Sequence, residues 1–194
     1  MYLELGDLNN AEMFVKRAVR VFEITCGADS PLVASAESLY GTILWKKGDR
    51  EGCRIALMTA YTIEATRDGG INISTLMDLN QQIMDTFVKP MPSQKSSSGA
   101  NCSPPPLIRE NFKSVLSVAL KACENINLNL PQDGDAAAFY KTAAEVAIYA
   151  NELREAKRLL ELSVPLFACD TRMDCSELIA RCQEMITLID GQVR

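Results

Sequence analysis

The chain has 194 residues, 20 Lys plus Arg against 25 Asp plus Glu for a net charge of −5, and no histidine. Without histidine, Ser-His-Asp and Cys-His catalysis, His-ligated zinc and His-ligated haem are excluded. A pI near 4.9 argues against a nucleic-acid partner, because such domains concentrate Lys and Arg against phosphates.

Composition divides the chain into three. Residues 1–88 hold 12 acidic and 8 basic side chains, residues 89–107 hold two lysines and five prolines, and residues 108–194 hold 13 acidic and 10 basic side chains. In the first part, Ala11, Phe14, Val15, Ala18, Val19 and Phe22 recur at three- and four-residue spacing, which predicts a helix over Ala11–Ile24 with an apolar face opposite Lys16, Arg17 and Arg20. Asp29 or Ser30 is placed to cap the next helix, with Pro31 in its first turn, and Gly48-Asp49 ends that helix after Lys47. Asp68-Gly69-Gly70 stops the helix after that. The middle stretch has almost nothing to bury and reads as a disordered linker, with Ser96–Ser98 and Ser103-Pro104 as phosphorylation candidates. In the last part, helices are predicted over Ile108–Asn127 and Asp174–Ile189, with a helical hairpin over Tyr140–Ser163 between them. No stretch alternates with period two long enough to predict a sheet.

Shifting the sequence by 42 residues superposes Gly6-Asp7 on Gly48-Asp49, Ala18 on Ala60, Gly27 on Gly69 and Ala11 on Cys53. Glycine thus recurs at the inter-helix turn and the exit, and small residues recur where paired helices touch. These residues resemble a tetratricopeptide repeat (TPR), and the long spacing is similar to the repeats of kinesin light chains. The helical C-terminal region of SET-and-MYND lysine methyltransferases is a second similar family, although no SET-domain residues are visible.

In the repeat's pattern one unit runs from about Ala34 to Ala65. Gly41 takes the small position of its first helix, Leu44 and Trp45 the bulky ones, Gly48 the turn, and Cys53 and Ala60 the small positions of its second helix. Tyr2–Ala11 looks like the end of one first helix entering its second, which puts Met1 inside a repeat and implies a fragment of a longer array or a degenerate first unit. In Tyr140–Ser163, Ala144 and Ala156 sit at small positions, Asn151 replaces the turn glycine and Ser163 replaces a later alanine.

The resemblance implies an all-α fold of TPR-like hairpins forming an alpha-alpha superhelix, with the linker and a second small helical segment. It implies a groove that holds a peptide or helix of a partner protein, lined by Ser35, Ser38, Leu39, Thr42, Trp45 and Lys46. On the weaker hairpin the same positions are Ala138, Lys141, Thr142, Glu145 and Ile148. Ser38 and Thr42 stand where some family members carry a clamp of Lys, Asn and Arg for the acidic C-terminal tails of chaperones, so that clamp is absent. The function expected is a non-catalytic protein-interaction scaffold or adaptor. The alternative is the helical C-terminal lobe of a larger enzyme such as a SET-and-MYND-type methyltransferase.

Little in the sequence points to chemistry. The seven cysteines, at 26, 53, 102, 123, 169, 175 and 182, form no Cys-x-x-Cys pair, and Cys53 and Cys182 fall on apolar stripes where cysteine serves as a small hydrophobe. Their odd number fits a reducing compartment. Glu152 and Glu155 bracket Arg154 on what reads as a solvated face. No phosphate-binding glycine loop occurs, so no cofactor, metal or catalytic residue is expected. No apolar run approaches the ~20 residues needed to span a bilayer, and residues 1–20 are charged rather than signal-like, so the expectation is no membrane partner and a cytoplasmic location.

Overall fold

A computed structural model of the chain describes residues 2, 5–67, 70–89, 106–172 and 174–192, with the backbone alone at 106–111. The fold is all-α. Among the described residues the helices are α1 (Leu8–Cys26), α2 (Pro31–Lys47), α3 (Arg50–Thr66), α4 (Ile73–Val88), α5 (Pro106–Asn129), α6 (Gly134–Tyr149), α7 (Leu153–Cys169) and α8 (Ser176–Gln192). None is long and apolar enough to cross a membrane. Two compact units emerge, one of Met1–Gly69 with Asp78–Cys102 and one of Gly70–Met77 with Ser103–Arg194.

In the first unit α2 is the middle layer, packed between α1 and α3, and its buried residues Val33, Ala34, Ala36, Gly41, Ile43 and Leu44 face both sides. Ser30 caps α2 by accepting from the Val33 N–H, and Pro31 opens the first turn. The 42-residue repeat recurs in the entries to α1 and α3. Asp7 and Asp49 cap α1 and α3 by accepting from Asn10 and Gly52 N–H groups at 3.1 and 2.9 Å. Each is preceded by a left-handed glycine, Gly6 at φ 77° and Gly48 at φ 87°. The Asp7 N–H donates to the Tyr2 carbonyl and the Asp49 N–H to the Leu44 carbonyl, both at 3.0 Å. Across α1 and α2, Glu12 receives Lys16 at 2.6 Å and Lys47 at 2.5 Å, and these two ammoniums hold its carboxyl down at about 2.

α1 departs from expectation. Its buried stripe is Ala11, Val15 and Val19, whereas Phe14 is 44% exposed and Ala18 and Phe22 are half-buried. Periodicity placed all six on one face, but among the described residues α2 covers only a narrow stripe of it, which leaves the flank through Phe14, Ala18 and Phe22 more exposed.

In the second unit α6 is the middle layer between α5 and α7, and α8 packs on α7. Ala136, Ala137, Phe139, Ala143, Ala144, Val146 and Ala147 are fully buried; this alanine content lets both neighbours approach closely. Asn151 does take the left-handed turn, at φ 63°, and Ala156 and Ser163 are fully buried on α7. Asn151→Gly is expected to raise stability by about 1 kcal/mol and Asn151→Val to lower it by about as much, since a branched side chain resists positive φ; urea denaturation midpoints of the three proteins check this.

α5 begins at Pro106, two residues before the expected start and inside the stretch read as linker; proline suits a first turn, where its missing N–H has no helical partner. Residues 90–105 lie outside the described residues, and with them the linker reading, Ser96–Ser98, Cys102 and Ser103. Asp68 and Gly69 also lie outside them; α3 ends at Thr66.

Candidate functional site

The groove positions on α2 follow from its place in the middle layer. With one flank on α1 and another on α3, α2 leaves one stripe towards solvent. Along it Ser35, Leu39 and Lys46 are exposed and Ser38, Thr42 and Trp45 are half-buried. The stripe divides between two depressions. Ser35 and Leu39 line a shallow groove shared with α1, whereas Thr42 and Trp45 line a cleft of ≈ 210 Å³ that reaches Gln82, Asp85 and Thr86 of α4. Cys53 and Leu57 of α3 form its apolar floor.

Arg50 of α3 links residues from both walls of the Trp45 cleft. Arg50 places its guanidinium 5.8 Å from the Trp45 ring centroid and donates to the Thr86 and Lys89 carbonyls at 2.7 and 2.9 Å. A cation thereby meets the carbonyl end of α4, where the helix dipole favours positive charge. Arg54 sits 4.9 Å from the Phe87 ring centroid. At the cleft mouth Lys89 pairs with Asp85 at 2.5 Å, and the Thr42 hydroxyl donates to the Ser38 carbonyl at 3.2 Å. One wall is therefore aromatic and apolar, and the other presents a carboxylate and an ammonium.

Neither a protein-family model nor any curated protein matches this chain.

The α6 positions belong to the second unit. Ala138, Lys141, Thr142, Glu145 and Ile148 are all half-exposed and form the one stripe of α6 that its neighbours leave open. Lys141 and Glu145 pair at 2.6 Å, and the Thr142 hydroxyl donates to the Phe139 carbonyl at 2.8 Å, so this stripe is largely self-satisfied.

Cysteine chemistry has little room. Burial pushes the Cys53 thiol up to about 11 and the Cys123 thiol up to about 12, so both are protonated and unreactive at neutral pH. Cys175 and Cys182 are buried, and Cys26 and Cys169 are exposed. Among the described residues no three acidic or cysteine side chains cluster as metal ligands. Phe14 and Phe22, which share the apolar face read from the spacing of α1, line the shallow groove with Leu39, and the Tyr2 ring stacks on Phe14 at 5.2 Å.

Proposed function

We propose that the chain is a non-catalytic protein-interaction module of TPR-like repeats, with long units like those of kinesin light chains, that docks an extended peptide of a partner protein on the open stripe of α2. The observation that carries this reading is Trp45. It stands half-exposed in the wall of a cleft with an apolar floor, beside the Asp85–Lys89 pair. Large aromatic anchors in partly desolvated pockets dominate binding energies, and an ion pair at the rim selects partners more than it adds affinity. The net charge of −5 fits a protein partner better than a nucleic acid. The free thiols among the described residues fit a cytoplasmic setting.

Trp45→Ala is expected to weaken capture of partner proteins about 30-fold, the ~2 kcal/mol of a hot-spot aromatic, with the thermal midpoint near that of the wild type. Trp45→Phe should retain most of the affinity. Affinity capture from cells with all three proteins, quantified by mass spectrometry, is the measurement; an unchanged set and yield of partners with Trp45→Ala would count against the reading. Because Trp45 is the single tryptophan, its fluorescence reports directly on an occupied cleft.

A further inference from the structure

A protein kinase that selects acidic substrates reads a carboxylate three residues after the Ser or Thr it modifies. Four residues of the chain have that spacing: Thr75 with Asp78, Thr142 with Glu145, Thr171 with Asp174 and Thr187 with Asp190. Three of them lie inside helices, where the backbone cannot extend into a kinase cleft. Two of those hydroxyls, on Thr142 and Thr187, donate to the Phe139 and Gln183 carbonyls at 2.8 and 2.9 Å. Of the four, only Thr171 lies between helices, in the connection from Cys169 at the end of α7 to Ser176 at the start of α8. It is exposed, as is Asp174, and such connections are where enzymes that need an extended chain gain access.

Thr171 sits between Asp170 and Arg172. The Arg172 guanidinium pairs with Asp170 at 2.9 Å and with Asp133 and Asp135 at 3.5 Å each. Asp133 caps α6 by accepting from the Asp135 and Ala136 N–H groups at 3.1 and 3.3 Å, so one cation ties the α7–α8 connection to the start of α6. Asp174 adds a fourth carboxylate, which accepts from the Ser176 hydroxyl and N–H at 2.6 and 3.0 Å. Glu177 pairs with Arg181 within α8 at 3.8 Å. Among the described residues, Arg172 supplies every ion pair that Asp133, Asp135 and Asp170 make.

We infer that Thr171 is a phosphorylation site for an acidophilic protein kinase, and that its phosphate loosens the junction between the α7–α8 connection and the start of α6. In the transfer, Thr171 Oγ1 attacks the γ-phosphorus of ATP, the new O–P bond forms as the bond to ADP breaks, and the hydroxyl proton passes to the base of the kinase. The product carries a charge of about −1.5 to −2 at neutral pH. Chain geometry holds the Cα atoms of Thr171 and Asp170 about 3.8 Å apart, well inside the ~8 Å over which physiological salt screens charge. The phosphate therefore repels Asp170 and Asp174, and it competes for Arg172 with Asp133 and Asp135, whose pairs with the guanidinium are the longer ones. Loss of those pairs leaves the cap of α6 without its countercharge. The site belongs to the second unit and does not rest on peptide docking at Trp45.

The test incubates the full chain with casein kinase II and magnesium ATP, places the phosphate by tandem mass spectrometry, and reads thermal midpoints and amide hydrogen exchange at pH 7. The wild type is expected to take phosphate at Thr171, and Asp174→Asn to slow that transfer about ten-fold. The modified chain is expected to melt about 4 °C lower, with exchange at the start of α6, residues 134–140, about ten-fold faster. Combining Asp133→Asn with Asp135→Asn keeps a capping side chain and leaves Arg172 to the phosphate, so most of that shift should vanish. Labelling only at other residues, or at Thr171 equally fast in Asp174→Asn, would overturn the inference. So would an unchanged or raised midpoint, or the same fall in the double variant, which would assign it to the bulk of the added group rather than to its charge.

Discussion

Replacing Gly41 with valine is expected to lower the unfolding free energy by about 3 kcal/mol, at the upper end of what inserted methyl groups cost in a packed core. The first added carbon already falls 2.9 Å from Leu57 Cγ and 3.0 Å from its Cδ2, so Leu57, buried at the floor of the Trp45 cleft, must give up its packing for it to fit. Alanine is expected to cost less, about 1 kcal/mol, because the helix propensity gained over glycine, ~1 kcal/mol, offsets part of the same clash. Valine adds two more carbons and a stiff χ1 in the same gap. Leu57 makes the nearest contact, so a double-mutant cycle isolates it: Leu57→Ala vacates the space, and Gly41→Ala in that background should become neutral or stabilising. Urea denaturation of the four proteins gives the coupling. A cost for Gly41→Ala that stays the same with and without Leu57 would show that the Cys53 carbonyl, 3.4 Å from the added carbon, and not Leu57, is responsible.

Gly41 was legible in the sequence because close crossing of two helices leaves few residue types that fit, and the repeat fixed where the crossing falls. The same holds for Gly48, Asp49 and Ala60, whose roles are set by local backbone geometry. Phe14 was not legible. Periodicity tells which residues share a face, but not how many neighbouring helices cover that face, and α1 has α2 along only part of its apolar arc. The groove positions on α2 were found as one stripe, since solvent exposure of a middle-layer helix follows its own period. Their division into a Leu39 groove and a Trp45 cleft depends on which helix stands beside each end. Arg50 illustrates the remaining gap: its partners are backbone carbonyls at Thr86 and Lys89, and a backbone acceptor 36 or more residues away leaves no mark in the side-chain pattern.

In the second unit, Gly134→Ala is expected to destabilise by about 2 kcal/mol, again through overpacking. A Cβ there would lie 1.8 Å from Asp170 Oδ2 and 2.8 Å from its Cγ. A free aspartate would swing aside, but Asp170 is pinned where the end of α7 meets the start of α6. It accepts from the Arg172 N–H at 2.9 Å and from the Arg172 guanidinium at 2.9 and 3.0 Å, with its side chain 4% exposed. The same guanidinium reaches Asp133, the cap of α6, and Asp135, each at 3.5 Å. Arg172 first, and the Gly134 N–H more weakly, hold the Asp170 carboxyl below its ordinary value of 3.8. A carboxylate depressed on folding adds stability above its unfolded pKa and loses it as pH falls through the folded one. The stability gap between wild type and Asp170→Asn should therefore be widest near pH 7 and close as the pH drops below about 3.8. Arg172→Gln should raise the pH at which the acid transition begins, because it leaves Asp133, Asp135 and Asp170 crowded at one helix end without their shared cation. Thermal midpoints measured from pH 7 to pH 3 decide the matter: a wild-type-to-Asp170→Asn gap that stays constant across that range would assign the effect to lost packing at Gly134 rather than to the charge.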